Sequence, residues 1–195
     1  MSRLVYGYGI NDSGYKVTRV IGNEKVKWVC PYYSKWRGML KRCYDIKLKS
    51  KFPSYLNCTV CEEWKYFSNF KRWVDSQPNR NWKDCELDKD LLVEENKLYS
   101  PRTCVFITRQ VNQFLKDRAK DRGEFLLGAT YHSKHNKFYA YCNNPFSTKQ
   151  EYLGSFNTEI DAYIAWKNRK HEFSCMLAEI PENMLVSEIL RKRYA

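Results

Sequence analysis

Three short strand-like runs, FLLGATYHS, KFYAYCNN and KQEYLGSFN, stand one after another in the C-terminal part of the chain, and one long amphipathic segment, TEIDAYIAWKNRKHEFSCMLAE, follows them. Runs this close together, separated by turn residues, pair as an antiparallel meander, and such a sheet must bury one face to be stable. The following segment supplies the cover. Thr158 is placed to cap a helix, Glu159 and Asp161 favour its first turn, and Ile160, Ala162, Tyr163, Ala165, Trp166 and Phe173 form its apolar side. This predicts a three-stranded antiparallel sheet packed on one helix, with the second face of the sheet left to solvent.

Charge suggests the kind of partner the chain meets, and places the grip on it in the N-terminal part. The chain of 195 residues carries a formal net charge of +12, which points to a polyanionic partner. The excess is concentrated early: residues 1–120 hold 24 Lys and Arg against 13 Asp and Glu, and the remainder holds 10 against 9. No apolar run is long enough to span a bilayer, and the first residues lack the apolar core of a secretory signal, so no membrane partner is expected and the cytosol is the expected compartment.

The first 120 residues read as strands near the N-terminus followed by helices. SKWRGMLKRCYD places Trp36, Met39, Leu40 and Cys43 on one face, and a second helix is expected over residues 62–75 around Trp64, Phe67, Phe70 and Trp73, whose aromatic stripe reads as core. TRQVNQFLKDRAKDRG continues as a helix into a charged linker, which sets the expected domain boundary at residues 120–124. A last short helix, ENMLVSEILRKRYA, ends in a basic tail at residues 179–195. The eight cysteines read mostly as core filling in a reducing compartment; Cys58 and Cys61, joined by Cys30 and Cys43, are the one set that could hold a structural zinc ion.

Between these parts lies ELDKDLLVEENKLYSPRTCVF. If residues 87–92 form a strand, Asp88 and Asp90 project from one face and Lys89 from the other, so the two carboxylates could share one cation.

Two resemblances attach function to these patterns. Residues 121–178 resemble the ethylene-response-factor (AP-two) class of DNA-binding domain, through Gly128 and Tyr131, then Lys137, Phe138 and Ala140, then Leu153, Gly154, Phe156, Thr158, Ala162, Tyr163 and Trp166. In that class the open sheet face lies in the major groove of double-stranded DNA. The strands offer Tyr131, His132, Lys134, His135, Lys137, Tyr139, Tyr141, Lys149 and Tyr152, of which Tyr131, His132, Lys134, Lys137, Tyr139 and Lys149 are the DNA-binding candidates. The usual base-reading arginines are absent from the strands, which favours backbone contact over sequence readout.

Residues 1–120 resemble phage-encoded HNH-type endonucleases of the homing kind. The matching residues are Trp36, Met39, Arg42, Cys43 and Tyr44, then Tyr55, Val60, Glu63, Trp64, Phe67, Phe70 and Trp73, then LDKD, YSP, CVF and Asn112. The resemblance implies an α+β architecture containing a ββα-metal module with flanking helices. It also implies a metal-dependent endonuclease or nickase, with Asp88 and Asp90 on magnesium or manganese, Lys89, Tyr99 and Asn112 completing the catalytic set, and Arg42, Lys97 and Arg102 on phosphate. The hairpin histidine of that family is missing, since His132, His135 and His171 all lie later in the chain. A carboxylate, Lys89, Lys97 or metal-bound water would have to act as the base. The alternative is a catalytically degenerate DNA-binding or inhibitory phage protein acting on host DNA processing.

Overall fold

The computed structural model describes residues 4–21, 26–116, 124–147 and 149–195. Helices and strands are mixed along the chain, which divides into two compact units, residues 1–107 and 108–195. This division falls earlier than the expected boundary, most of which lies outside the described residues; the segment expected to lead into the linker therefore belongs to the second unit.

In the first unit, β1 (Thr18–Ile21) and β2 (Val26–Val29) form an antiparallel hairpin. Helix α1 (Pro31–Tyr44) begins three residues before the predicted start because Pro31, whose ring presets a helical φ, occupies its first turn. Its residues Trp36, Met39, Leu40 and Cys43 are buried as their spacing predicts. Asp45 ends α1, and its carboxylate accepts the Leu48 amide at 2.9 Å to start the short helix α2 (Ile46–Lys51), which the sequence reading passes over.

The helix predicted over residues 62–75 is broken in two. A 3-10 turn over Glu62–Lys65 is followed by extended Tyr66, and α3 runs over Phe67–Asp75. The break is enforced from a distance. The Phe67 amide donates to the Ile10 carbonyl at 3.0 Å, and Asp12 accepts the Ser68 amide at 2.8 Å, so the N-terminal segment caps α3. The aromatic stripe is core: Trp64, Phe67 and Phe70 are almost fully buried with Trp36, and the Trp36 indole donates to the Trp64 carbonyl at 2.7 Å.

Two small ladders complete this unit. β3 (Thr59–Val60) pairs in parallel with β5 (Leu98–Tyr99), and β4 (Cys85–Asp88) pairs with β6 (Val105–Thr108), whose last residue belongs to the second unit.

Helix α4 (Arg109–Leu115), capped by the Thr108 hydroxyl, opens the second unit. The sheet follows in the order β7 (Ala129–His132), β8 (Lys137–Asn143) and β9 (Gln150–Phe156), antiparallel throughout. α5 (Glu159–Leu177) then covers it, with Thr158 as its cap as the sequence predicts, and α6 (Met184–Lys192) packs on α5. Ala140, Cys142, Ala162, Trp166 and Phe173 fill the space between sheet and helices. The hairpin register slips once between Ala140 and Tyr141, which leaves Leu153 as an unpaired bulge residue beside Gly154, whose φ of +133° only glycine tolerates well.

Candidate nucleic-acid interface and the Asp88 cluster

Directly paired residues of an antiparallel ladder share a face, so the register identifies both sides of the C-terminal sheet. Tyr131 pairs with Phe138 and Ala129 with Ala140, which is buried, so these residues line the helix side. Thr130 pairs with Tyr139 and His132 with Lys137, and beyond the bulge Tyr141 pairs with Tyr152 and Asn143 with Gln150; these occupy the open side. Rings on that side touch in a row. His132 stacks on Tyr139 at 4.1 Å, Tyr139 meets Tyr152 at 5.7 Å, and Tyr152 meets Tyr141 at 5.4 Å.

Of the predicted binding residues, His132, Lys137 and Tyr139 share this open face. Lys134 stands in the Ser133–His135 turn at one end of the sheet, and Lys149 in the β8–β9 hairpin at the other. Tyr131 is a correction: it faces the helix side, packs with Phe125 and Phe138, and donates its hydroxyl to Asn136 at 2.7 Å. The strand alternation that sets Tyr139 outward turns Tyr131 the other way. The carboxylate of β9 is also turned inward, where Glu151 accepts Arg169 of α5 at 2.8 Å and Asn144 at 2.7 Å. The open face therefore bears aromatic rings, Lys137 and neutral polar groups, with no acid among its paired residues. Tyr152, 56% exposed, and Tyr141 are missing from the predicted binding set. Alternation on β8 could have marked Tyr141, whereas Tyr152 could be placed only by knowing the bulge.

The second cluster lies in the first unit. The strand expected through residue 92 ends at Asp88, and this alters the geometry of the acidic pair. Asp88 Oδ1 accepts the amides of Asp90 at 2.9 Å and Leu91 at 2.7 Å, a local turn that side chains of this type favour over continued strand. Lys89 is consequently buried instead of pointing away. Its ammonium donates to Asp90 Oδ1 and to the Asn96 carbonyl at 2.6 Å. Asn96 ties the base of the loop by donating to the Lys89 carbonyl at 2.8 Å and the Leu98 carbonyl at 2.7 Å.

Tyr99 is buried beside this loop. Its hydroxyl accepts Arg42 Nε at 3.0 Å, the guanidinium lies 5.4 Å from its ring centre and the Lys89 ammonium 6.0 Å from it. The structure thus gathers Arg42, Asp88, Lys89, Asp90 and Tyr99. Asn112 lies on α4 in the second unit, and Lys97 and Arg102 are exposed on the loop and turn. Thr103 donates to the Leu98 carbonyl at 2.7 Å and so holds the turn into β6.

Burial pushes the Asp88 carboxyl above its ordinary value, against the opposing pull of the Leu91 and Asp90 amides. Burial also raises the Tyr99 phenol and pushes the Cys104 thiol up to about 12, so both stay protonated at neutral pH. Asp88 Oδ2 makes no hydrogen bond among the described residues, and that oxygen fits one ligand position on a hard cation. Asp90, engaged by Lys89, does not fit a shared site in this arrangement. Among the described residues no three His, Cys, Asp or Glu side chains gather as a metal-holding group; Cys30, Cys43 and Cys58 are buried in the core, with Cys61 partly exposed. No helix among the described residues is long and apolar enough to cross a membrane.

Comparison with models of known protein families, with curated proteins and with solved structures finds no match.

A raised carboxyl fixes the sign of a pH effect. The folded state keeps the Asp88 proton over the interval between the ordinary carboxyl value and the raised one, so its contribution to stability falls as pH rises through that interval. Asp88→Asn preserves an Oδ1 acceptor for the two amides and removes the buried charge. It should raise the melting temperature at pH 7, by a free energy of up to about 1 kcal/mol, and the gain should vanish below about pH 4. Thermal melts across that pH range check this; a loss of stability at neutral pH would contradict it.

Proposed function

We propose that the chain is a DNA-binding protein that holds double-stranded DNA on the open face of its C-terminal sheet. The observation that carries this reading is that face itself: a row of touching rings with Lys137 among them, Lys134 and Lys149 at the ends, and the strand carboxylate Glu151 turned to the opposite side. Such a surface attracts phosphate without desolvating an acid, and its rings give sugar and base edges apolar contact. The exposed Lys97 and Arg102 of the first unit, together with its larger share of the net positive charge, add to the attraction.

Binding measured by fluorescence anisotropy on a mixed-sequence duplex at several salt concentrations tests it. Tyr139→Ala should weaken binding about tenfold, an effect of the order of 1.4 kcal/mol. Replacing Lys134, Lys137 and Lys149 together by Ala should lower the slope of log affinity against log salt by about 2–3. Unchanged affinity and slope in both variants would refute the assignment of this face.

A second reading, metal-dependent phosphodiester cleavage by an endonuclease or nickase, is favoured by Asp88: a half-buried carboxylate with a raised pKa and one unengaged oxygen, in a cluster with Arg42, Lys89 and Tyr99. Magnesium or manganese would supply positive charge to the scissile phosphate when bound, and Asp88 is the side chain available to hold it. Arg42 and Lys89 would keep the carboxylate in an electropositive setting. Supercoiled DNA incubated with magnesium, manganese or EDTA should be nicked only with metal, and Asp88→Asn should abolish nicking while leaving duplex affinity intact. Absence of nicking by the wild-type chain in every arm leaves binding, or obstruction of a host DNA-processing protein, as the activity.

A further inference from the structure

The second unit contains a nucleophile arrangement that DNA binding does not use. Cys175 and His171 stand one helical turn apart on α5, and Cys175 Sγ lies 3.6 Å from His171 Nε2. The other ring nitrogen, Nδ1, lies 3.0 Å from the carbonyl oxygen of Arg193, just beyond α6. A carbonyl can only accept, so this contact places the ring proton on Nδ1 and leaves Nε2 as an acceptor aimed at the thiol. A thiol within reach of a base that a third group orients is the general pattern of an activated nucleophile.

Accessibility singles out the same residue. Six of the eight cysteines are buried; Cys61 and Cys175 are partly exposed. Burial raises the thiol of Cys61. The neighbouring carboxylates of the second unit are engaged elsewhere: Glu172 accepts Arg169 at 2.5 Å, and Glu179 accepts Arg191 at 2.8 Å.

We propose that Cys175 is a reactive thiol and a site of reversible mixed-disulfide formation with low-molecular-weight disulfides such as glutathione disulfide. The Cys175 Sγ proton passes to His171 Nε2, while Nδ1–H stays on the Arg193 carbonyl. The thiolate attacks one sulfur of the disulfide, the new S–S bond forms as the old one breaks, and the departing thiolate takes the proton from the imidazolium. One disulfide is consumed and one thiol released, so no further oxidant is needed. Because His171 also joins α5 to the segment after α6, the bulky adduct would sit where that segment is anchored.

The test uses the full reduced chain at neutral pH, treated briefly with substoichiometric iodoacetamide or with glutathione disulfide, and compares the Cys175 and Cys61 peptides by mass spectrometry. Cys175 should react at least about tenfold faster than Cys61, and faster in the folded chain than in the chain unfolded in guanidinium. A free thiol is only a few per cent thiolate at this pH, so a gain of that size is open to a base-assisted one. His171→Gln, which can still donate to the Arg193 carbonyl but is not a base, should slow Cys175 about tenfold. Equal rates in folded and unfolded wild-type chain would overturn the proposal. So would an unchanged rate in a His171→Gln variant whose circular dichroism is native. The folded-against-unfolded comparison decides alone if that variant does not fold.

Discussion

Trp36→Ala should destabilise the first unit by about 4 kcal/mol, the upper part of the range for deleting a large aromatic side chain from a packed core. Trp36 is fully buried, and its ring lies 5.5 Å from Phe67 and 5.6 Å from Tyr33, so the cavity would be walled by side chains already held in place by α3 and α1. The opposite wall is backbone: a Cβ added at Gly9 would fall 2.7 Å from the indole and 2.3 Å from Leu40, leaving the N-terminal segment little room to collapse inward. The mutation also strands the Trp64 carbonyl, which loses its 2.7 Å indole donor. A buried acceptor left unpaired costs about 1–3 kcal/mol. Trp36→Phe keeps most of the volume but not the donor, so it should cost roughly half as much. Urea unfolding followed by circular dichroism measures both. A loss below about 1 kcal/mol for Trp36→Ala would mean that the helices of this unit do not pack as described.

The core that makes this expectation large was legible because 3.6-residue periodicity is written in the residues that do the packing. Trp36, Met39, Leu40 and Cys43 recur at helical spacing, and so do Ala162, Trp166 and Phe173 of α5; each set is buried. Periodicity fails where partners remote in sequence decide. The break at Tyr66 depends on Ile10 and Asp12 supplying the acceptors that the helix start needs, and nothing near Tyr66 announces it. The end of α1 is the opposite case, because there the local residue Asp45 caps the following helix.

At the acidic loop, alternation was the wrong rule. It set Asp88 and Asp90 on one face, whereas the Asp88 side chain captures two backbone amides and ends the strand. Once the chain turns there, Lys89 has no route to solvent and finds the Asn96 carbonyl and Asp90 instead. The residues of this cluster were readable; their pairing was not, because a cation adjacent in sequence to both carboxylates can satisfy either. On the sheet, a single extra residue at Leu153 determines whether Tyr152 joins Tyr139 or turns away, and only the Leu-Gly step hinted at it.

Gly128→Ala should cost the second unit roughly 3 kcal/mol and weaken DNA binding as a consequence. Two independent terms add. Gly128 has a φ of +76°, a conformation that costs an L-residue about 1–2 kcal/mol. An added Cβ would also lie 2.1 Å from Trp166 Cγ and 2.5 Å from its Cβ, an overlap that forces sheet and helix apart, with a typical cost of about 1–3 kcal/mol. A double-mutant cycle apportions the terms: in a Trp166→Ala background, which removes Cγ and the ring and leaves only the Cβ contact, Gly128→Ala should cost clearly less than in the wild type. The link to binding runs through the ladder. The Gly128 carbonyl accepts the Tyr141 amide at 3.0 Å, and Tyr141 leads through Tyr152 to Tyr139 on the open face. Displacing Gly128 therefore disturbs the row of rings from beneath, so stability and affinity should fall together. Tyr139→Ala, by contrast, removes a half-exposed ring and should lower affinity with little change in melting temperature. A Gly128→Ala chain that melts and binds like the wild type would show that Trp166 does not hold the sheet against α5, and that the open face owes its shape to something else.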